Sequence, residues 1–162
     1  LLDAASIKAP IHLVVNKSFL SGLTLASNVH VGHGPADQGS DNGISYPLLI
    51  QKYFQRALAL LIPLKTSQNE AAGMTNLLEG MSCGLPVVMT RTGALDINIE
   101  ELGVGLYVEP GDSLGWVKAC NWLIENPLKA RKMGDNGRQY VEQHYNTKRL
   151  GLELSLLFDE FF

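Results

Sequence analysis

Five short apolar runs punctuate the first two thirds of the chain: IHLVV at Ile11–Val15, VHV at Val29–Val31, LALLI at Leu58–Ile62, VVM at Val87–Met89 and GLYV at Gly105–Val108. Each is too short for a helix and apolar at nearly every position, as expected of strands buried on both faces. Between the runs the spacing turns helical. Leu49, Ile50, Tyr53 and Phe54 line one face over Tyr46–Arg56, and further helices are expected over Ser18–Ala26 and Thr75–Cys83. Gly84 stops the last of these, and Pro86 leads into the next strand. Strands alternating with helices imply right-handed crossovers and a parallel sheet covered on both faces. Such a sheet binds ligands in the crevice beyond the carboxyl ends of its strands. Here the loops Asn16–Ser18, Gly32–Gly43, Lys65–Gly73, Thr90–Leu95 and Glu109–Ser113 bound that crevice.

Leu1–Ser6 reads as the tail of a helix, Arg91–Ala94 as a turn and Asp96–Glu101 as a helical turn. The last third is helical. Asp112 or Ser113 caps a helix whose Leu114, Trp116, Val117 and Leu123 are expected to face the sheet. Pro127 suits the first turn of the next helix, which carries Met133, Gly137, Tyr140, Val141 and His144 on one stripe. Thr147 starts a final helix that ends in the apolar FDEFF.

The 162 residues suit one domain with a real core. A hydrophobic share of 46% and a charged share of 18% are those of a soluble globular chain. The net charge of −3 offers no basis for non-specific binding to nucleic acid or to an anionic membrane. The longest apolar run, Ala57–Leu64, is far too short to cross a bilayer. The start has no signal-peptide layout, so a cytoplasmic location is expected. Because the first residue is Leu, the chain reads as a piece of something longer. Cys83 and Cys120 lie in helical segments without a C-x-x-C, and read as buried free thiols.

After the third apolar run the chain reads KTSQNEAAGMTN over Lys65–Asn76 and enters a helix. Small residues at Ala71, Ala72 and Gly73 let a ligand approach the backbone. The first amides of a helix lack internal partners, and the helix dipole places partial positive charge there. A phosphate fits such a place without a cationic side chain. Glu79 follows about one turn further in, and two readings compete for it. Asn76-Leu77-Leu78-Glu79 matches a capping box, in which Glu79 bonds the Asn76 amide. Alternatively, its carboxylate accepts hydrogen bonds from two adjacent sugar hydroxyls.

Other motifs carry less. There is no G-x-x-x-x-G-K-[ST] and no G-x-G-x-x-G after a strand. His30 and His33 form an H-x-x-H near Asp37 and Asp41, but on a strand end and loop that spacing does not gather ligands on one face, and no metal is expected. His33 follows its strand and is a candidate neighbour of a nucleobase. Lys65 and Arg91, each just past a strand end, are candidate cations, although a solvated surface charge is the commoner role for either. Trp116 and Trp122 read as packing residues. No Ser-His-Asp order and no paired in-line carboxylates suggest a hydrolase.

Three blocks, GMTNLLEGMSCGLPVVMTRTGAL, GVGLYVEPGD and MGDNGRQYVEQHY, resemble the C-terminal domain of group-1, retaining glycosyltransferases of the GT-B fold. The resemblance covers about Gln51–Leu157, and LLEGMSCGLPVV is its most specific part, similar to the family's L-E-A-M-A-x-G-x-P-V. It implies a Rossmann-like, doubly wound α/β domain with C-terminal helices, half of a GT-B pair. It also implies that 1–162 is one nucleotide-sugar-binding domain, with the acceptor domain and a first strand carrying Arg and Lys lying upstream. In the family, the position of Glu79 binds the ribose hydroxyls of the donor. Gly73, Met74, Thr75 and Asn76 match the helix start whose amides take the diphosphate, and Gly93-Ala94 matches a glycine-rich loop near the site. The family's earlier glutamate, eight positions before the ribose one, falls here on Ala71. Either a local shift brings Glu70 to that sugar, or the contact is made otherwise.

The resemblance implies transfer of a hexosyl group from a UDP-, GDP- or ADP-sugar with retention, with no cofactor and no metal, and with amides and cations stabilising the leaving phosphate. Candidates for catalysis are Glu70, Lys65 and Arg91; those for donor binding are Gly73, Met74, Thr75, Asn76, Glu79, His33 and Gly93. The expected partners are the donor and the upstream acceptor domain, with no nucleic acid and with membrane contact only through the upstream part. The isolated chain is expected to bind donor weakly and transfer little. Two rival readings are a non-catalytic nucleotide-binding module and another doubly wound domain, such as an epimerase half or a receiver-like interaction domain.

Overall fold

A computed structural model describes residues 4–15, 24–33, 45–64, 73–93 and 95–161. A 3-10 turn, Ala4–Ser6, precedes β1 (Ile11–Val15) and β2 (Val29–His33). Then come α1 (Tyr46–Lys52), a second 3-10 turn at Phe54–Arg56, β3 (Leu60–Ile62), α2 (Met74–Ser82), β4 (Val87–Thr90) and β5 (Gly105–Val108). Three helices close the chain: α3 (Ser113–Glu125), α4 (Pro127–His144) and α5 (Thr147–Phe161).

All strand pairs are parallel, as the alternation of strands and helices requires. Where one sheet was expected, pairing among the described residues gives two, ordered β1-β2 and β3-β4-β5. Core packing sets them side by side. Ile11 and Leu61 share one buried cluster with Cys120 and Val117 of α3. Val14 and Leu60 share another with Leu49 of α1, Phe54 and Leu85. The chain thus steps from β1 out to β2, returns, and steps the other way from β3 to β5. A reversal of this kind is where open α/β sheets hold ligands.

The main core lies between β3-β4-β5 and α2, where Leu77, Met81, Val87, Met89, Ile99 and Val104 are fully buried. On the opposite face Val88 and Val108 meet Trp116, Ala119 and Leu123 of α3. Burying one Leu- or Val-sized side chain stabilises by about 1.5–3 kcal/mol, so these two layers dominate the fold's stability. α4 presses its backbone onto the turn that ends α2. A Cβ on Gly134 would stand 1.9 Å from the Gly84 carbonyl oxygen.

Several expectations need correction. α1 stops at Lys52 rather than Arg56. In an unbroken helix Leu49 and Phe54 would stand about 140° apart; the break at Tyr53 brings both into one cluster. Thr24–Ala26, expected to be helical, are irregular; 16–23 lie outside the described residues. β2 runs on through His33, paired with Val15, and β3 starts at Leu60 rather than Leu58. The helical turn expected over Asp96–Glu101 forms slightly later, where the Leu102 N–H bonds the Asn98 carbonyl at 3.1 Å. Leu114 is 63% exposed, because it stands on the side of α3 away from the stripe of Trp116, Ala119, Cys120 and Leu123. His144 is exposed and only stacks on Tyr140, at 4.5 Å between ring centroids. α5 is a well-formed helix whose Leu150, Leu154 and Leu157 remain exposed. Cys83 and Cys120 are free thiols, and burial pushes that of Cys120 up to about 11.

Candidate functional site

The carboxyl ends of β3 and β4 converge on one glycine. Gly73 is the N-cap of α2, with φ at +87°, a left-handed conformation that side chains with a Cβ resist. Space forbids a larger residue as well. A Cβ there would come within 3.0 Å of Met89 Cε, 3.1 Å of Ile62 Cγ2 and 3.2 Å of Leu64 Cδ1. The turn is therefore held against the last residues of two strands, on the crevice side of the sheet.

No side chain of the N-cap closes the start of α2. The Leu77 N–H already bonds the Gly73 carbonyl, so the amides of Met74, Thr75 and Asn76 precede the first intrahelical bond. Thr75 and Asn76 are exposed. The rim below is fixed by Thr90, buried to 3% exposure, whose Oγ1 accepts the Leu64 N–H at 2.9 Å. That bond ties the end of β4 to the chain leaving β3.

The helix boundaries decide between the two readings of Glu79. A capping box requires Asn76 as N-cap and Glu79 as the third helical residue. Instead Gly73 is the N-cap, Asn76 is the third helical residue and Glu79 the sixth. Glu79 is thus about one and a half turns inside α2, and it does not cap. It is half-buried, and among the described residues it has no ion-pair partner. Its charge acts on the phenol of Tyr46, the first residue of α1. That phenol is pushed well above its ordinary value, first by partial burial, then by a hydrogen bond to Glu79 and by its charge. One turn further along α2, the Cys83 thiol is also raised, by burial and then by the Glu79 charge.

Arg91 is bound up locally. Its Nη2 donates to Glu100 Oε2 at 2.9 Å and its Nε to Glu109 Oε1 at 2.7 Å, while its guanidinium lies over the Tyr107 ring. The Arg91 pKa rises through these bonds. For Glu100, partial burial works upward, but the hydrogen bonds from Arg91 and from the Tyr107 N–H outweigh it and pull the carboxyl down. Arg91 therefore ties the ends of β4 and β5 to the turn at Glu100.

The remaining candidates fare unequally. Gly93 is exposed beyond β4, with nothing near its Cα face. The backbone of His33 ends β2, and His30 stacks on His12 across the strand pair at 5.4 Å. Lys65, Glu70, Ala71 and Ala72 lie outside the described residues, as does Ala94. Among the described residues no group of three or more His, Cys, Asp or Glu could hold a metal ion. Among the same residues, no helix is long and apolar enough to cross a membrane. Sequence reasoning missed Tyr46, whose only signal was its place at the first turn of a helix, before Pro47. It also missed a cavity of about 160 Å³ on the α3 side, between Leu64, Thr90, Gly111 and Trp116.

N-acetyl-alpha-D-glucosaminyl L-malate synthase of Bacillus anthracis is 26% identical over 132 residues, which is 82% of this chain and 32% of that protein. D-inositol 3-phosphate glycosyltransferase of Corynebacterium jeikeium is 41% identical over 58 residues, 36% of this chain and 14% of that one. The chain therefore spans about a third or less of the relatives it matches. Among solved structures, sucrose-phosphate synthase from Thermosynechococcus elongatus superposes with a TM-score of 0.69 at 23% identity, over 90% of this chain and 33% of that one. Anabaena HepE in complex with UDP-glucose gives 0.60 at 22%, over 88% and 35%. These structures share the fold, a Rossmann-like α/β domain. The model of the family "Glycosyl transferases group 1" matches residues 45–140, from the residue before α1 into α4, and the chain belongs to that family.

Proposed function

We propose that this chain is the donor-binding half of a retaining glycosyltransferase, holding a nucleotide-diphosphate sugar at the start of α2. The observation that carries the reading is a helix that starts at Gly73 without a side-chain cap, with Glu79 behind it at the sixth helical position, where it does not cap. The amides of Met74, Thr75 and Asn76 receive the diphosphate, and the Glu79 carboxylate takes the two ribose hydroxyls. As the bond from the sugar C1 to the diphosphate loosens, negative charge grows on the phosphate, where fixed amide dipoles stabilise it. The structure of HepE with UDP-glucose supports a nucleotide-sugar donor, which we take to be a UDP-, GDP- or ADP-hexose. No cofactor or metal enters this scheme. Lys65, Glu70, His33 and Gly93 stay candidates for the sugar, base and leaving-group contacts. Acceptor recognition belongs to a further domain, and this chain alone is expected to bind donor weakly and transfer little.

Calorimetric titration with UDP, GDP, ADP and their sugars tests the reading, with Glu79→Ala beside the unaltered protein. The variant should bind its preferred nucleotide about 1.5–3 kcal/mol more weakly. Equal affinity would sink the assignment. One observation favours a second reading. The position eight residues before Glu79 is Ala71 rather than an acid, as in a module that binds donor without transferring it. Donor binding by the longer protein without any turnover would favour that module.

A further inference from the structure

Thr90 is the one buried polar side chain among the described residues, at 3% exposure. It ends β4, whose other residues are the apolar Val87, Val88 and Met89. Neighbouring residues of a strand point to opposite faces. Met89 packs in the core on the α2 side, and Thr90 turns to the α3 side, where it lines the cavity with Leu64 and Trp116. Its hydroxyl finishes a ladder. The Leu60 N–H bonds the Pro86 carbonyl at 3.0 Å, and the parallel register advances both strands together. Carried on to Leu64, that register would bring its N–H to the Thr90 carbonyl. The Leu64 N–H bonds the Thr90 Oγ1 instead, at 2.9 Å. The chain thus leaves β3 after Ile62 with its exit pinned to the end of β4.

The same leucine reaches the turn that opens α2. A Cβ on Gly73 would lie 3.2 Å from Leu64 Cδ1 and 3.0 Å from Met89 Cε. Adjacent residues of β4 therefore hold that turn by two routes, Met89 directly and Thr90 through Leu64. We infer that Thr90 is a positioning residue for the diphosphate, resting on the donor-site reading above. By fixing Leu64 it keeps the Gly73 turn, and with it the amides of Met74, Thr75 and Asn76, against the carboxyl edge of the sheet. Amide dipoles stabilise phosphate charge best when they are already aimed, to within about 0.5 Å. Valine matches threonine in shape but accepts no hydrogen bond. In Thr90→Val the part-buried Leu64 N–H loses its acceptor and turns toward water. Its side chain moves with it, away from Gly73.

The test is NMR titration of a nucleoside diphosphate, and of its parent nucleoside, into the unaltered protein, Thr90→Val, Thr90→Ser and Leu64→Ala. The diphosphate is the tightest binder among UDP, GDP and ADP. Thr90→Val should weaken the diphosphate roughly three- to tenfold and leave the nucleoside unchanged. Thr90→Ser, which keeps the hydroxyl, should restore the diphosphate affinity. Leu64→Ala removes the side chain that seats on Gly73 and should repeat the selective loss; it decides the matter if Thr90→Val does not fold. If the unaltered protein binds the diphosphate no more tightly than the nucleoside, the donor-site reading fails and this inference with it. Suppose instead that the preference for diphosphate is present. If it survives in Thr90→Val or Leu64→Ala, if both probes weaken equally, or if Thr90→Ser does not restore it, only the role of Thr90 is overturned.

Discussion

Arg91 lies over the ring of Tyr107, 4.3 Å from its centroid, while its Nη2 and Nε donate to Glu100 and Glu109. A guanidinium held in this way by two carboxylates and a ring is a clasp on the sheet's carboxyl edge. We expect Arg91→Ala to lower stability by about 1 kcal/mol, because exposed pairs contribute little and the ring contact adds a similar small amount. Nucleotide affinity should stay unchanged. Thermal denaturation and calorimetry of the variant check both halves, and a loss of affinity would return Arg91 to the site as a cation.

The same clasp sets a pH dependence. The carboxyl of Glu100 sits below its ordinary value of 4.5 in the folded chain. A lowered carboxyl contributes stability that is complete above the ordinary value and is lost as pH falls through the folded one. The pair is partly exposed, so the contribution is below about 1 kcal/mol. Urea denaturation from about pH 5 to about pH 3 should show a smaller acid loss for Glu100→Gln than for the unaltered chain. Identical slopes would remove the clasp from the account.

Gly73→Ala should both destabilise and blunt ligand binding. The left-handed backbone costs a Cβ-bearing residue about 1–2 kcal/mol, and Met89, Ile62 and Leu64 crowd the new methyl. A loss of about 1–3 kcal/mol in chemical denaturation is expected, with weaker nucleotide binding as the helix start shifts.

Gly134→Ala opposes two effects. Alanine favours a helix by about 1 kcal/mol over glycine. Its methyl would stand 1.9 Å from the Gly84 carbonyl oxygen, a backbone atom that cannot swing aside. Packing wins, and a net loss of about 2–4 kcal/mol is expected. Gly151→Ala on α5, where nothing lies within 4 Å, should instead be neutral or stabilising.

Much of this was legible in the chain. VVM and GLYV gave buried strands because a strand covered on both faces needs no polar alternation. The stop at Gly84 and the cap at Asp112, whose Oδ1 accepts the Gly115 N–H at 2.8 Å, are local chemistry and were read correctly. What failed was set by contacts distant in sequence. The break after Lys52 follows from where Phe54 must point, and nothing in YPLLIQKYFQR records the position of Leu85. The helical turn expected from Asp96 begins about two residues later, after the Ile97 carbonyl, which accepts the Tyr107 hydroxyl. Glu79 stood out from its block, but its role depended on which residue began the helix, and a shift of three positions separates a capping acid from one that lies further inside.

The backbone of α4 meets the Gly84 carbonyl with no side chain of Gly134 between them. That seam has no slack, so any residue with a Cβ at this point must push α4 off the turn that follows α2.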